Sequence, residues 1–166
     1  SEVTLFKIGD RVSYASMPIG AYSEKHIIPQ EKLVKVPDGI SDEIAAAITL
    51  KGMTCEYLLH RAYAVKKTDT ILFHAAAGGV GQLFCQWARA IGCKIIGTVG
   101  SDEKIQIAKD NGCDHVINYT TDDFSKKVLE ITNGKGVDVV YDGVGLKTFE
   151  GSIASIKIRG MFLTFG

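Results

Sequence analysis

From Thr70 onward, apolar runs of strand length alternate with stretches whose apolar positions recur at helical spacing. Thr70–His74, Lys94–Val99, His115–Asn118, Val137–Tyr141 and Arg159–Phe165 are short apolar runs and predict five strands. Between the first two, Val80, Leu83, Phe84, Trp87, Ala88 and Ile91 fall at i, i+3, i+4, i+7, i+8 and i+11, one apolar face of a helix that Gly92 closes. Ser101–Asn111 reads as a second helix, with Ser101 as cap, Asp102 and Glu103 in its first turn and Gly112 behind it. Asp122–Thr132 reads as a third, capped by Asp122 and left through Asn133 and Gly134. Strands alternating with helices predict an α/β, doubly wound parallel sheet with right-handed crossovers. Counted along this segment, the expected strand order is 3-2-1-4-5.

The first fifty residues are written differently. The β-like runs Arg11–Ala15, Tyr22–Ile28 and Lys32–Val36 are separated by Pro18, Gly20, Pro29, Pro37 and Gly39, which suits a small antiparallel unit. Such a unit is too small to bury a core of its own and reads as a piece of a domain. Ser41 is placed to cap a helix through Ala45, Ala46 and Ala47, and a further helical run follows from Thr54 to Ala64. The expected organisation is therefore residues 1–48 as the tail of a β domain and residues 49–166 as the α/β domain. A doubly wound dinucleotide fold usually has six strands and only five are present, so the chain is expected to be an internal segment, incomplete at both ends.

Composition narrows the function. The 166 residues are 46% hydrophobic, and nineteen Lys and Arg balance nineteen Asp and Glu. That excludes intrinsic disorder and lacks the basic excess of a nucleic-acid reader. The longest uncharged stretch, Thr70–Ala88, contains His74, Gln82, Gln86 and three glycines, which marks a strand, turn and helix rather than a membrane span. Ser1–Thr4 shows no secretory pattern, and Cys55, Cys85, Cys93 and Cys113 form no CxxC pair. Reduced core thiols, a cytoplasmic location and no metal site are the expectations.

The chemistry sits in His74-Ala75-Ala76-Ala77-Gly78-Gly79-Val80-Gly81, between the first strand and the amphipathic helix. Glycines there let a pyrophosphate approach the helix N-terminus, where free amides and the positive end of the dipole meet its charge. The spacing is AxxGGxG rather than GxGxxG. At the tip of the second strand, where an acid would meet a free ribose 2′-hydroxyl, stands Gly100, followed by Ser101 and, one helical turn on, Lys104. A hydroxyl and an ammonium in that corner suit a 2′-phosphate, hence NADPH, although Asp102 and Glu103 must point elsewhere.

These motifs, with Val116–Tyr119 (VINY) and Val139–Gly145 (VVYDGVG), resemble the zinc-independent quinone oxidoreductases of zeta-crystallin type, within the medium-chain dehydrogenase/reductase superfamily. Phe6–Val12, Gly20–Pro29 and Lys32–Ser41 are similar to the end of that family's GroES-like catalytic domain, so the resemblance covers essentially the whole chain. It implies a Rossmann-like cofactor domain and an NADPH-dependent oxidoreductase acting on a quinone. Zinc-free enoyl or alkenal reductases of the same superfamily, and a nucleotide-binding module without turnover, are the alternatives. Residue by residue, it implies Thr54 and Tyr57 beside the nicotinamide and phosphates, and Gly79 and Val80 giving amides to the pyrophosphate. Gly100, Ser101 and Lys104 fall in the 2′-phosphate pocket, with Tyr119 closing over it, and Gly143 and Val144 line the cofactor near its adenosine half. No side chain is assigned as a catalytic base and none as a metal ligand, and His74 is expected to be a hydrogen-bonded structural histidine. A homodimeric parent is implied, and the segment alone is expected to turn over no acceptor.

Overall fold

A computed structural model describes residues 3–166, in two compact units, one ending at Met53 and the other spanning Thr54–Gly166. In the first unit, β1 (Val12–Ser13) pairs antiparallel with β2 (Val34–Lys35), placing Val12 opposite Lys35. The run Tyr22–Ile28, expected to be a strand, forms none, and Ile27 and Tyr22 are exposed. Ser41 caps as expected, its hydroxyl accepting from the Ile44 amide at 3.3 Å. The helix it starts, α1 (Asp42–Glu56), runs unbroken through Gly52 and continues as a π-helical turn, Tyr57–Ala62. The two helical runs expected from the sequence are thus one element.

The second unit carries five strands: β3 (Thr70–Phe73), β4 (Lys94–Val99), β5 (His115–Asn118), β6 (Val137–Asp142) and β7 (Ile156–Thr164). Every pairing is parallel and the order is β5-β4-β3-β6-β7, the arrangement expected from the alternation. Between them lie α2 (Gly79–Ile91), α3 (Glu103–Asp110), α4 (Phe124–Ile131) and α5 (Phe149–Ser155). The strands are apolar on both faces because helices cover both. Ile71, Phe73, Ile95, Val139 and Tyr141 pack on one side with Phe84 and Ala88 of α2 and with Leu58 and Leu59. Leu72, Ile96, Ile117 and Val140 pack on the other with Phe124 and Val128 of α4. Each such side chain fully buried contributes about 1.5–3 kcal/mol.

Gly92 ends α2 in the left-handed conformation, φ 95°, as its place in the sequence demands. Two caps differ from expectation. α3 begins at Glu103 rather than Ser101 and has no side-chain cap, because the Asp102 carboxylate is taken by Asn118. α4 is capped by Asp123, whose Oδ1 accepts from the Lys126 amide at 3.3 Å, rather than by Asp122. α5 was hidden by Gly151, a residue that disfavours helix but here meets the Phe124 ring, which a Cβ would strike at 2.5 Å. β7 starts at Ile156 rather than Arg159, its pairing with β6 interrupted between Val137 and Val139.

Candidate functional site

The carboxyl ends of β3, β4 and β6 share one edge of the parallel sheet, and the order reverses between β3 and β6, where doubly wound folds bind ligands. The loop after β3 turns through Ala75 at φ 56°, unusual for a residue with a Cβ. Its amides are anchored inward. Ala76 N donates to Thr98 O at 2.9 Å and Gly78 N to Ala75 O at 2.8 Å. Gly81 lets α2 pass close beneath the loop: a Cβ there would lie 2.5 Å from Ala75 O and 2.6 Å from Ala76 O. The Cys55 thiol donates to Val80 O at 3.6 Å, bringing the α1 segment that holds Thr54 against the start of α2.

The N-terminus of α2 is open. Gly78 occupies the cap position without a side-chain acceptor, no acid lies in the first turn, and Gly78 and Gly79 are exposed. Helix geometry leaves the amides of Gly79, Val80 and Gly81 ahead of any intrahelical carbonyl. Orphan donors at the positive end of a 13-residue helix dipole fit an anion such as a pyrophosphate.

Past β4, the structure brings two of the sequence-predicted residues into contact. The Tyr119 phenol lies over Gly100, where a Cβ would sit 2.8 Å from its oxygen. Lys104 N donates to Ser101 O at 3.2 Å, which sets Lys104 one turn beyond Ser101. Lys104 is exposed and, among the described residues, pairs with no carboxylate. Asp102 is tied back: Asn118 Nδ2 donates to its Oδ1 at 2.8 Å. Tyr57 opens the π-helical turn and is 39% exposed, while the turn itself is fixed by the Tyr141 hydroxyl donating to Leu58 O at 3.2 Å.

Gly143 and Val144 follow β6 in a turn organised by a residue that sequence reasoning passed over. The Asp142 carboxylate is fully buried, and Oδ1 accepts the amides of Val144 (2.8 Å) and Gly145 (2.9 Å). Its Oδ2 accepts the hydroxyls of Thr148 (2.7 Å) and Ser152 (3.0 Å). Burial pushes its carboxyl up, but the Gly145 amide, the Thr148 hydroxyl and the Val144 amide together outweigh that and hold its pKa below the usual value. Behind it stands His74, Nε2 2.9 Å from Ser152 Oγ and Nδ1 2.8 Å from Thr98 Oγ1, with the Phe124 ring edge-on. Burial lowers the His74 pKa to about 4, against a smaller opposing pull from Asp142, so the ring is neutral. An acid closing an apolar strand immediately before Gly-Val-Gly was the available signal for Asp142, since such residues bond amides two and three positions on. Thr98, Thr148 and Ser152 carried no signal.

No three His, Cys, Asp or Glu side chains converge to hold a metal ion among the described residues, and all four cysteines are buried and free. These residues do not fit zinc.

A family model described as zinc-binding dehydrogenase matches residues 79–166. A quinone oxidoreductase of Pseudomonas aeruginosa is 52% identical over the whole chain, which corresponds to 51% of that protein. A 2-haloacrylate reductase of a Burkholderia species is 48% identical over 99% of the chain and 50% of its own length. The crystal structure of Escherichia coli quinone oxidoreductase complexed with NADPH superposes with a TM-score of 0.96 at 49% identity, covering 99% of this chain and 50% of that one. The chain thus spans about half the length of the relatives it matches.

Proposed function

Because the chain belongs to the zinc-binding dehydrogenase family, we propose that it is the nucleotide-binding half of an NADPH-dependent oxidoreductase that reduces a quinone. The observation that carries this reading is the open, acid-free N-terminus of α2 at the point where the strand order reverses. Gly79 and Val80 offer amides to the pyrophosphate, and Thr54 and Tyr57 flank its nicotinamide side. Gly100, which leaves room for the Tyr119 phenol, takes the 2′-phosphate with Ser101 and Lys104, Tyr119 closes over that phosphate, and Gly143 and Val144 line the adenosine half. The dinucleotide, when bound, supplies the hydride. The chain's part is to hold it in one orientation, since hydride transfer depends on distance and alignment more than on a protein nucleophile.

Residues 1–48 belong in this reading to a GroES-like catalytic domain and residues 49–166 to the nucleotide domain, the remainder of each coming from the rest of the protein. The parent works as a homodimer in the cytoplasm, where four free thiols stay reduced. No helix among the described residues is long and apolar enough to cross a membrane.

The likeness to a 2-haloacrylate reductase supports a second reading, in which the acceptor is an activated alkene. NADPH oxidation by the full-length protein against a panel of quinones, 2-haloacrylates and enals separates the two. The cofactor assignment is tested by Lys104→Ala. A charge-assisted contact to phosphate is worth about 1.5–3 kcal/mol, so NADPH should bind about tenfold more weakly or worse, with NADH little changed. Equal losses for both cofactors would show that Lys104 does not read the phosphate.

A further inference from the structure

His74, Thr98, Ser152 and Asp142 form a line of hydrogen bonds, each buried, that connects the end of β3, β4, α5 and the end of β6 at one edge of the sheet. The direction of its protons follows from counting donors. An ionised carboxylate only accepts, so the single Ser152 hydroxyl proton points to Asp142 Oδ2, 3.0 Å away. Ser152 Oγ must then accept from His74 Nε2, 2.9 Å away, which therefore carries the ring proton. In a neutral imidazole this leaves Nδ1 bare, to accept from the Thr98 hydroxyl at 2.8 Å. At its two ends the line enters main chain. Thr98 O accepts the Ala76 amide of the glycine loop, and Asp142 Oδ1 accepts the amides of Val144 and Gly145.

We infer that this Thr98–His74–Ser152–Asp142 relay, with His74 fixed as the Nε2–H tautomer, is a positioning device that holds the 143–145 turn in register with the glycine loop and thereby sets dinucleotide affinity. The inference rests on the nucleotide-binding reading of those two loops. None of the four side chains is exposed, so none touches the dinucleotide; they act through the backbone they hold. Charge is what gives the relay direction. Removing one hydroxyl leaves a neighbouring lone pair or N–H unmatched in a dry site, and the turn must shift to satisfy it.

The test uses full-length, nitrogen-15-labelled protein. In the nucleotide-free form, long-range proton–nitrogen spectra should show His74 with a protonated Nε2 and a bare Nδ1 at neutral pH. A protonated Nδ1, or an imidazolium, overturns the relay. Thr98→Val keeps the shape and removes the proton, while Thr98→Ser keeps the proton and removes a methyl. Thr98→Val should accelerate hydrogen exchange at the Val144 and Gly145 amides and weaken NADPH binding, read by calorimetry, about fivefold to tenfold. Thr98→Ser should stay within about twofold of wild type on both readouts. Unchanged exchange and affinity in Thr98→Val, or equal losses in the two variants, overturn the positioning role. Should Thr98→Val fail to fold, Ser152→Ala is read by the same two measurements. Wild-type protein that shows the expected tautomer but binds no NADPH overturns the nucleotide reading, and the affinity part of this inference with it.

Discussion

Acidification should destabilise the second unit through His74. The folded pKa of about 4 lies below the ordinary 6.5, so the unfolded chain binds the proton first as pH falls. Wherever the unfolded state holds more protons, stability rises with pH. The contribution of neutral His74 is therefore complete above pH 6.5 and is lost progressively between 6.5 and about 4. Each pH unit is worth about 1.4 kcal/mol, which puts the loss at about 3 kcal/mol. The groups facing the ring are Thr98, Ser152, the Phe124 edge and Asp142, and only Asp142 is charged. Its own depressed pKa makes it stabilising above the usual carboxylate value of 3.8 and costs stability only below that, a separate window. Urea unfolding of wild type and His74→Gln between pH 7 and 4 isolates the effect, because the other titrating groups cancel in the difference. The gap between the two proteins should narrow by about 3 kcal/mol over that range. A constant gap, or a His74 ring that titrates near 6.5 in the folded protein, would refute the assignment of a neutral, buried imidazole.

Gly81→Ala should place a methyl 2.5 Å from Ala75 O and force the loop from α2, costing about 1–3 kcal/mol of stability and most of the NADPH affinity. Wild-type affinity by calorimetry would contradict the loop geometry. The 166-residue chain by itself should bind NADPH weakly and show no acceptor-dependent absorbance loss at the nicotinamide band, for want of the remaining wall of the acceptor cleft. Turnover of a simple quinone by this segment would overturn that expectation.

How far the structure could be read in advance depended on where each constraint lay. β3 to β6 were legible because each is built around a short apolar run, and parallel strands covered on both faces leave that signature. α2 was legible from the spacing of Val80 to Ile91 and the glycine after it. The short pieces were legible in part. Arg11–Ala15 and Lys32–Val36 hold β1 and β2, paired antiparallel as expected, whereas Tyr22–Ile28 has strand composition without a partner strand. Both caps fell one residue later than expected: the cap position of α3 passed from Ser101 to Asp102, whose carboxylate binds Asn118 instead, and that of α4 from Asp122 to Asp123.

At the site, the residues that offer main-chain amides or empty space announced themselves, whereas those that steer the backbone did not. Glycines at 78, 79, 81 and 100 stand out in any one-dimensional reading. The relay behind them joins His74 to Ser152 across 78 positions, and a serine in a helix carries no local mark of what it will meet. The hidden residues also resolve part of a difficulty that the sequence raised. Free carboxylates would repel the phosphates of the proposed dinucleotide; Glu103 stays exposed in the first turn of α3, but Asp102 and Asp142 do not stand free. Each is met by dedicated donors instead: Asp102 by the Asn118 amide, Asp142 by two main-chain amides and two hydroxyls. Asp142 thus keeps its charge inside the fold and spends it on shaping the 143–145 turn, while Lys104 stands exposed in the first turn of α3, paired with no carboxylate among the described residues.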